Sequence, residues 1–123
     1  MPSQCFSKVR RLRRRGEFKR VFDLALRTHG RFLSVLMAPN EMGASRLGIV
    51  ASRKLGDAVR RNRAKRLIRE VFRKSSPLLF KSAVDLVVIP RRELFDATYP
   101  SLENDFLSAV KRCVARLPAD GTR

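Results

Sequence analysis

The stretch GDAVRRNRAKRLIREVFRK, Gly56 to Lys74, decides how the rest of this 123-residue chain is read. Eight of its nineteen residues are Arg or Lys. Ala64, Leu67, Ile68, Val71 and Phe72 recur in it at spacings of three and four, so they fall in one arc of a helix and predict a face packed on a core. Asn62, Lys65, Arg66, Arg69 and Arg73 fall on the opposite arc, with Arg61 at its boundary. Arg61, Lys65, Arg69 and Arg73 are each four apart and stack as a ridge of like charge. Each such pair costs roughly 0.2–0.5 kcal/mol in an isolated helix, so three oppose folding by about 1 kcal/mol. Glu70 is the only carboxylate inside the helix to offset them. A solvated face is the plain alternative, but a face built for solubility mixes signs and this one does not.

Just before the helix, Asp57 is a good N-cap and Gly56 suits a tight turn, while Arg53 and Lys54 bring two more cations to the same end. RLGIVASRKL (Arg46–Leu55) alternates Leu47, Ile49 and Ala51 with Gly48, Val50 and Ser52, a period-two strand signal. RFLSVLMAP (Arg31–Pro39) reads as an earlier strand, and Arg31–Met37 and Leu47–Ser52 are close enough in sequence to pair antiparallel. Phe18, Val21, Phe22 and Leu26 give a first helix from Glu17, stopped by Thr28–Gly30. After the basic helix, ended near Lys74 by Ser75–Pro77, AVDLVVIP (Ala83–Pro90) is apolar on nearly every residue, which suits a strand covered on both faces. A last helix starts near Thr98 or Ser101 and carries Leu102, Phe106, Ala109, Val110, Cys113 and Leu117 on one stripe. The order is helix, two or three strands, helix, strand, helix, which we take as α-β-β-β-α-β-α: α+β class, a small α-β sandwich with a βαβ crossover. Chain rules make such a crossover right-handed by default. A basic arm over 1–16, one domain over 17–118 and a tail over 119–123 divide the chain.

Charge narrows the function. With 28 Lys and Arg against 11 Asp and Glu, the net charge is +17. Such an excess destabilises a compact fold unless something anionic neutralises it. Arg, suited to bidentate phosphate contacts, dominates the excess and points to nucleic acid. No apolar run approaches the roughly 18 residues that span a bilayer, and the basic N-terminus lacks the apolar segment of a signal peptide. Cys5 and Cys113 form no metal or disulfide pattern, so both are expected as reduced thiols in a cytoplasmic protein, Cys113 in the core. Phe18, Phe22 and Phe32 are either core or the lining of a groove in which unpaired bases stack.

Arg46–Arg73 as a block, with Arg61-Asn62-Arg63 inside it, resembles the signature of the protein component of bacterial ribonuclease P. Arg11–Phe22 is similar to that family's N-terminal helix entry, and Val84–Arg91 to its last strand. The resemblance implies a small α-β sandwich, with a left-handed crossover, that assembles with ribonuclease P RNA to remove the 5′ leader from precursor tRNA, using Mg2+ held mainly by the RNA. It implies RNA-subunit contacts at Arg53, Lys54, Arg60, Arg61, Asn62, Arg63, Lys65, Arg66 and Arg69. It implies leader contacts at Phe18, Phe22 and Phe32, with Val35 at a groove position that is aromatic in some members. Arg53 stands where many members have Lys, and Asp57 where many have Asn.

Other readings fit less well. Metal-assisted cleavage by the protein itself needs converging carboxylates, whereas Asp57, Glu70, Asp85, Glu93, Asp96, Glu103 and Asp105 are scattered and His29 sits in an expected turn without a partner. No catalytic or metal-binding residue is therefore assigned to the chain. A ribosomal protein would share the basic arm and helix but needs no phenylalanine groove. A helix-turn-helix cannot be drawn, because strands separate the first two helices. No membrane and no protein partner is expected.

Overall fold

A computed structural model describes residues 11–12, 15–24, 26–40, 45–79 and 84–116. Cys5, the tail 119–123 and most of the expected arm lie outside the described residues; of the arm, Arg11, Leu12, Arg15 and Gly16 are inside them. The elements are α1 (Arg15–Leu24), β1 (Leu26–His29), β2 (Leu33–Pro39), β3 (Arg46–Ile49), α2 (Ala58–Leu79), β4 (Val84–Pro90) and α3 (Tyr99–Arg116). This is the α-β-β-β-α-β-α order of an α+β sandwich.

The strands lie in the order β1-β2-β4-β3. β2 pairs antiparallel with both β1 and β4, and β3 runs parallel to β4, so β3–α2–β4 is the crossover unit. The expected antiparallel pair of β2 with β3 does not form, because β4 lies between them. The reason is visible in β4 itself. It is apolar on almost every residue and nearly wholly buried, so it is most stable where both its faces and both its edges are covered.

The third strand is one the helical reading absorbed. Leu26 continues the Phe18–Phe22 spacing, but the chain leaves the helix after Leu24, and Leu26–His29 pairs with Ser34–Met37. Pairing with a buried neighbour outweighs the one further helical spacing that Leu26 offers. At the other end, α2 continues to Leu79, beyond Lys74. Ser75 is buried, so packing carries the helix past Lys74.

Strand alternation divides the sheet into two faces. Leu33, Val35, Met37, Leu47, Val84, Leu86 and Val88 face one way and pack with Ala64, Ile68, Val71 and Phe72 of α2 and Leu102, Phe106, Ala109, Val110 and Cys113 of α3. Leu36, Ala38 and Val87 face the other way, beneath Val21 of α1 and beside Leu12, with Phe18 partly buried among them. The helices thus form two outer layers. The Cys113 thiol is buried and free, as expected, beside the Thr28 hydroxyl at 3.1 Å, and burial raises its pKa.

Both margins of the sheet are covered. Arg116 and Arg112 of α3 donate to the carbonyls of Arg27 (2.9 Å) and His29 (3.3 Å) on β1. On the far side Arg11 forms a parallel bridge with Leu47 of β3, and Leu12 N–H donates to Leu47 O at 2.8 Å.

Candidate nucleic-acid interface

The approach to α2 is built by two short-range devices. Ser52 Oγ accepts from Lys54 N–H at 3.3 Å and starts a single 3-10 turn over Arg53–Leu55, which buries Leu55 and leaves Arg53 and Lys54 exposed. Gly56 then adopts φ +134°, a region that favours glycine, and a Cβ there would come 2.7 Å from Arg60 Cδ. Asp57 caps α2 as expected: its Oδ1 accepts from Arg60 N–H and its carbonyl from Arg61 N–H, both at 3.0 Å.

Along α2 the cations separate into two groups. Arg60, Asn62, Arg63 and Arg66 are exposed, the last three on the arc opposite the packed face and Arg60 at the N-terminal end of the helix. Arg60 holds its guanidinium over the Phe95 ring at 5.5 Å. Arg61, Lys65, Arg69 and Arg73, the ridge the spacing defines, are only half-exposed. Arg61 has its Nε buried with no partner among the described residues. Burial lowers the Arg69 pKa, with the charge of Arg11 adding to the effect. Glu70, the one acid of the helix, bonds Arg73 at 2.9 Å and Lys74 at 3.4 Å, and those contacts lower its pKa, the Arg73 hydrogen bond most. Its charge is thus engaged one turn beyond Arg66 and leaves the exposed arginines unopposed.

The second surface is the sheet face beneath α1. The register places Arg46 and Ala38 beside Asp85, Gly48 and Leu36 beside Val87, and Ser34 beside Ile89. α1 covers the first two of these rows. Phe18 lies so close over the middle row that a Cβ on Gly48 would stand 2.6 Å from its ring, which only glycine permits. The last row is partly open: Ile89 and Val50 are half-exposed, and His29 and Arg91 flank Ser34 at the β1 side. His29 Nδ1 and Arg91 Nη2 each reach Ser34 Oγ, at 2.9 and 3.3 Å. Phe22 is 41% exposed on α1.

A buried charge lattice fixes α1 to this face. Asp85 has no exposed surface and takes both arms of Arg46, Nε and Nη2, at 2.8 Å. It also accepts from Asn40 at 2.7 Å and from Arg20 of α1 at 3.3 Å. Arg46 Nη1 reaches Glu17 of α1 at 2.9 Å, and Arg20 Nη2 donates to Pro39 O at 2.6 Å.

The structure therefore divides the sequence-derived candidates. It brings Arg53, Lys54, Arg60, Asn62, Arg63 and Arg66 together on exposed surface, and leaves Arg61, Lys65 and Arg69 on the half-buried flank. Phe18 packs on the sheet face beneath α1, and Phe22 is exposed on the same helix. Val35 does not: it is fully buried among the residues packed on α2 and α3, because the pleat aims it away from α1. Phe32 is likewise in that core, 7% exposed, with its N–H held by Asp105 Oδ2 at 2.9 Å. The α1-facing residues of β2 are Ser34, Leu36 and Ala38. Sequence reading missed them together with Ile89, Val50 and Arg91, and assigning strand register would have found them.

Among the described residues no cluster of His, Cys, Asp or Glu is arranged to hold a metal ion. Asp85 and Glu17 are bound to arginines, and Asp105 caps the N–H groups of Arg31 and Phe32. These donors do not fit a magnesium site.

Residues 6–114 match the family model described as Ribonuclease P. The ribonuclease P protein component of Petrotoga mobilis is 35% identical over 119 residues, 94% of this chain and 100% of that protein. The one from Thermotoga petrophila is 42% identical over 92 residues, covering 75% and 78%. Among solved structures, the ribonuclease P protein from Thermotoga maritima superposes with a TM-score of 0.74 at 38% identity, over 83% of this chain and 96% of that one.

Proposed function

The chain belongs to the ribonuclease P protein family, and on that premise we propose that it is the protein subunit of a ribonuclease P. In that role it binds the catalytic RNA and the single-stranded 5′ leader of precursor tRNA, and it promotes endonucleolytic removal of the leader. The observation that carries this reading is the presence of two differently built surfaces on one small domain. One is the exposed arginine side of α2, suited to phosphates; the other is the partly open sheet face beneath α1, suited to unpaired bases.

The chain supplies positioning and charge. Substrate and catalyst are both polyanions, and a +17 protein between them lowers their repulsion. Mg2+, in this reading, is held by the RNA and supplies the Lewis acid of the cleavage step; the carboxylates described above hold the protein together instead. The cytoplasm is the proposed location, and no described helix is long and apolar enough to cross a membrane.

The test is cleavage of a 5′-extended precursor tRNA by a bacterial ribonuclease P RNA at low magnesium, with and without the protein. Strong stimulation at the mature 5′ end, with no cutting by the protein alone, is expected. No stimulation alongside tight binding to ribosomal RNA would replace the proposal with a structural RNA-binding role.

A substitution follows for the leader surface. Phe22→Ala is expected to weaken binding of leader-bearing tRNA by about 1–3 kcal/mol while leaderless tRNA binds as before. Because the side chain is about half covered, folding stability should fall by about 1 kcal/mol, well short of unfolding the domain. Equal losses for both tRNAs would place the leader elsewhere.

A further inference from the structure

His29, the one histidine of the chain, is not the partnerless turn residue its sequence suggests. It is the last residue of β1, and its Nδ1 lies 2.9 Å from Ser34 Oγ and 3.3 Å from Arg91 Nη2. Arg91 Nη2 also donates to Ser34 Oγ at 3.3 Å, which closes a triangle of polar atoms on the partly open row of the sheet face. A guanidinium has only donors to offer. Its contact with Nδ1 is a hydrogen bond only when that nitrogen is bare, so the triangle selects a neutral imidazole with its hydrogen on Nε2. In that form Arg91 is engaged within the protein, although its side chain is exposed.

We infer that His29 is a positioning residue for Arg91: neutral, it latches the guanidinium against Ser34, and protonated, it releases the guanidinium to a phosphate of a strand on the sheet face. A proton on Nδ1 turns that atom from acceptor to donor. The imidazolium still donates to Ser34 Oγ, but it meets Arg91 as a like charge with nothing to accept its hydrogens. The Arg91 backbone stays in place, because its N–H donates to Phe32 O at 2.9 Å, so only the side chain leaves. A phosphate between the two cations then relieves their repulsion. Strand binding and proton uptake favour each other, as linked equilibria must.

The other charges around the ring do not give this response. Arg112 of α3 donates to the His29 carbonyl at 3.3 Å, and Arg27 stands on the same side of β1. Arg31 stacks on Phe32 at 5.2 Å. Arginines such as these stay charged at any pH near neutrality. Asp105 of α3 lies against Gly30, and the N–H groups of Arg31 and Phe32 take its two oxygens at 2.9 Å each. Among the described residues no carboxylate bonds the imidazole.

This inference rests on the proposed leader surface and supplies its regulation. The experiment uses holoenzyme reconstituted from the full-length protein and a bacterial ribonuclease P RNA, with Ca2+ in place of Mg2+ to slow cleavage. The readout is the ratio of affinities for leader-bearing and leaderless tRNA from about pH 8 to about pH 5.5, where histidine titrates while arginine, lysine and exposed carboxylates stay charged. The ratio is expected to rise roughly tenfold toward low pH, the effect that one opposite charge at contact range has on a protonation equilibrium. His29→Gln, which takes no proton, is expected to abolish the rise. His29→Lys, charged throughout, should hold the ratio high across the whole range. Arg91→Gln should remove most of the rise, since the proton acts through that guanidinium. A pH-independent ratio in the wild type overturns the inference, as does a rise that persists in His29→Gln or is undiminished in Arg91→Gln. If leader-bearing tRNA still binds more tightly in those cases, the latch falls and the proposed function stands. No preference for the leader at any pH removes the leader surface and the latch together.

Discussion

Replacing Asp85 by alanine is expected to cost the free protein about 3–5 kcal/mol of folding stability, read from its urea unfolding midpoint. The carboxylate is fully buried, and its four hydrogen bonds gather Arg46, Arg20 and Asn40. Removing it strands the Arg46 guanidinium, itself largely buried, with Glu17 as its remaining acid. The hydrogen bonds to Asp85 are also the main reason that the Arg46 pKa is raised. Most of the loss is thus the cost of leaving one charge inside without its partner, rather than the net worth of the pair. A double variant, Asp85→Leu with Arg46→Met, should therefore be less damaging than Asp85→Ala alone. The exposed pair Lys19–Asp23 is the control: Asp23→Ala should change stability by no more than about 1 kcal/mol. If Asp85→Ala unfolds within 1 kcal/mol of wild type, the lattice contributes nothing that water does not.

The second large effect concerns RNA affinity. Arg63→Ala combined with Arg66→Ala is expected to lower the salt slope of binding to a ribonuclease P RNA by about two units. At 0.1 M salt that corresponds to an affinity loss on the order of 10²-fold. Both side chains are exposed and bond no partner among the described residues, so none of those competes for their donors. Arg73→Ala should move the slope less, because that guanidinium already bonds Glu70. Arg61, whose Nε is buried, should also have a smaller effect than Arg66. An unchanged slope in the double variant would put the RNA on another face.

How much of this could be read from the residues alone depends on the element. α2, α3 and β4 announce themselves because each carries a long pattern: one apolar stripe on each helix, and a continuous apolar run for the strand. β1 does not. Its four residues put Leu26 and Thr28 on one face and Arg27 and His29 on the other, but Leu26 also completes a helical spacing with Phe18 and Phe22. Two periods fit the same letters, and only the partner strand decides. The pairing of β2 with β4 rather than β3 is equally silent locally, since it depends on which strand most needs burial. Val35 fell to the wrong face for a related reason: β2 is buried on both sides, so its composition carries no alternation to set the register. The α2 interface was legible as a cationic helix. Which cations stand outward was not, because the half-burial of the ridge is set by tertiary packing, with the charge of Arg11 felt at Arg69.

The coverage of both sheet margins acquires a meaning once RNA is bound. In the free protein, a charge of +17 holds copies apart at any distance short of screening. On a polyanion that repulsion is cancelled, and proteins crowded along one RNA meet at close range. What then prevents β-strands of neighbouring copies from joining is local and steric. Arg112 and Arg116 occupy two carbonyls on β1, and Arg11 and Leu12 pair with Leu47 of β3, so each edge is interrupted before another strand can add. Colloidal protection is surrendered to the ligand, while protection built into the backbone persists in the bound state, where neutralised basic proteins are most prone to coalesce.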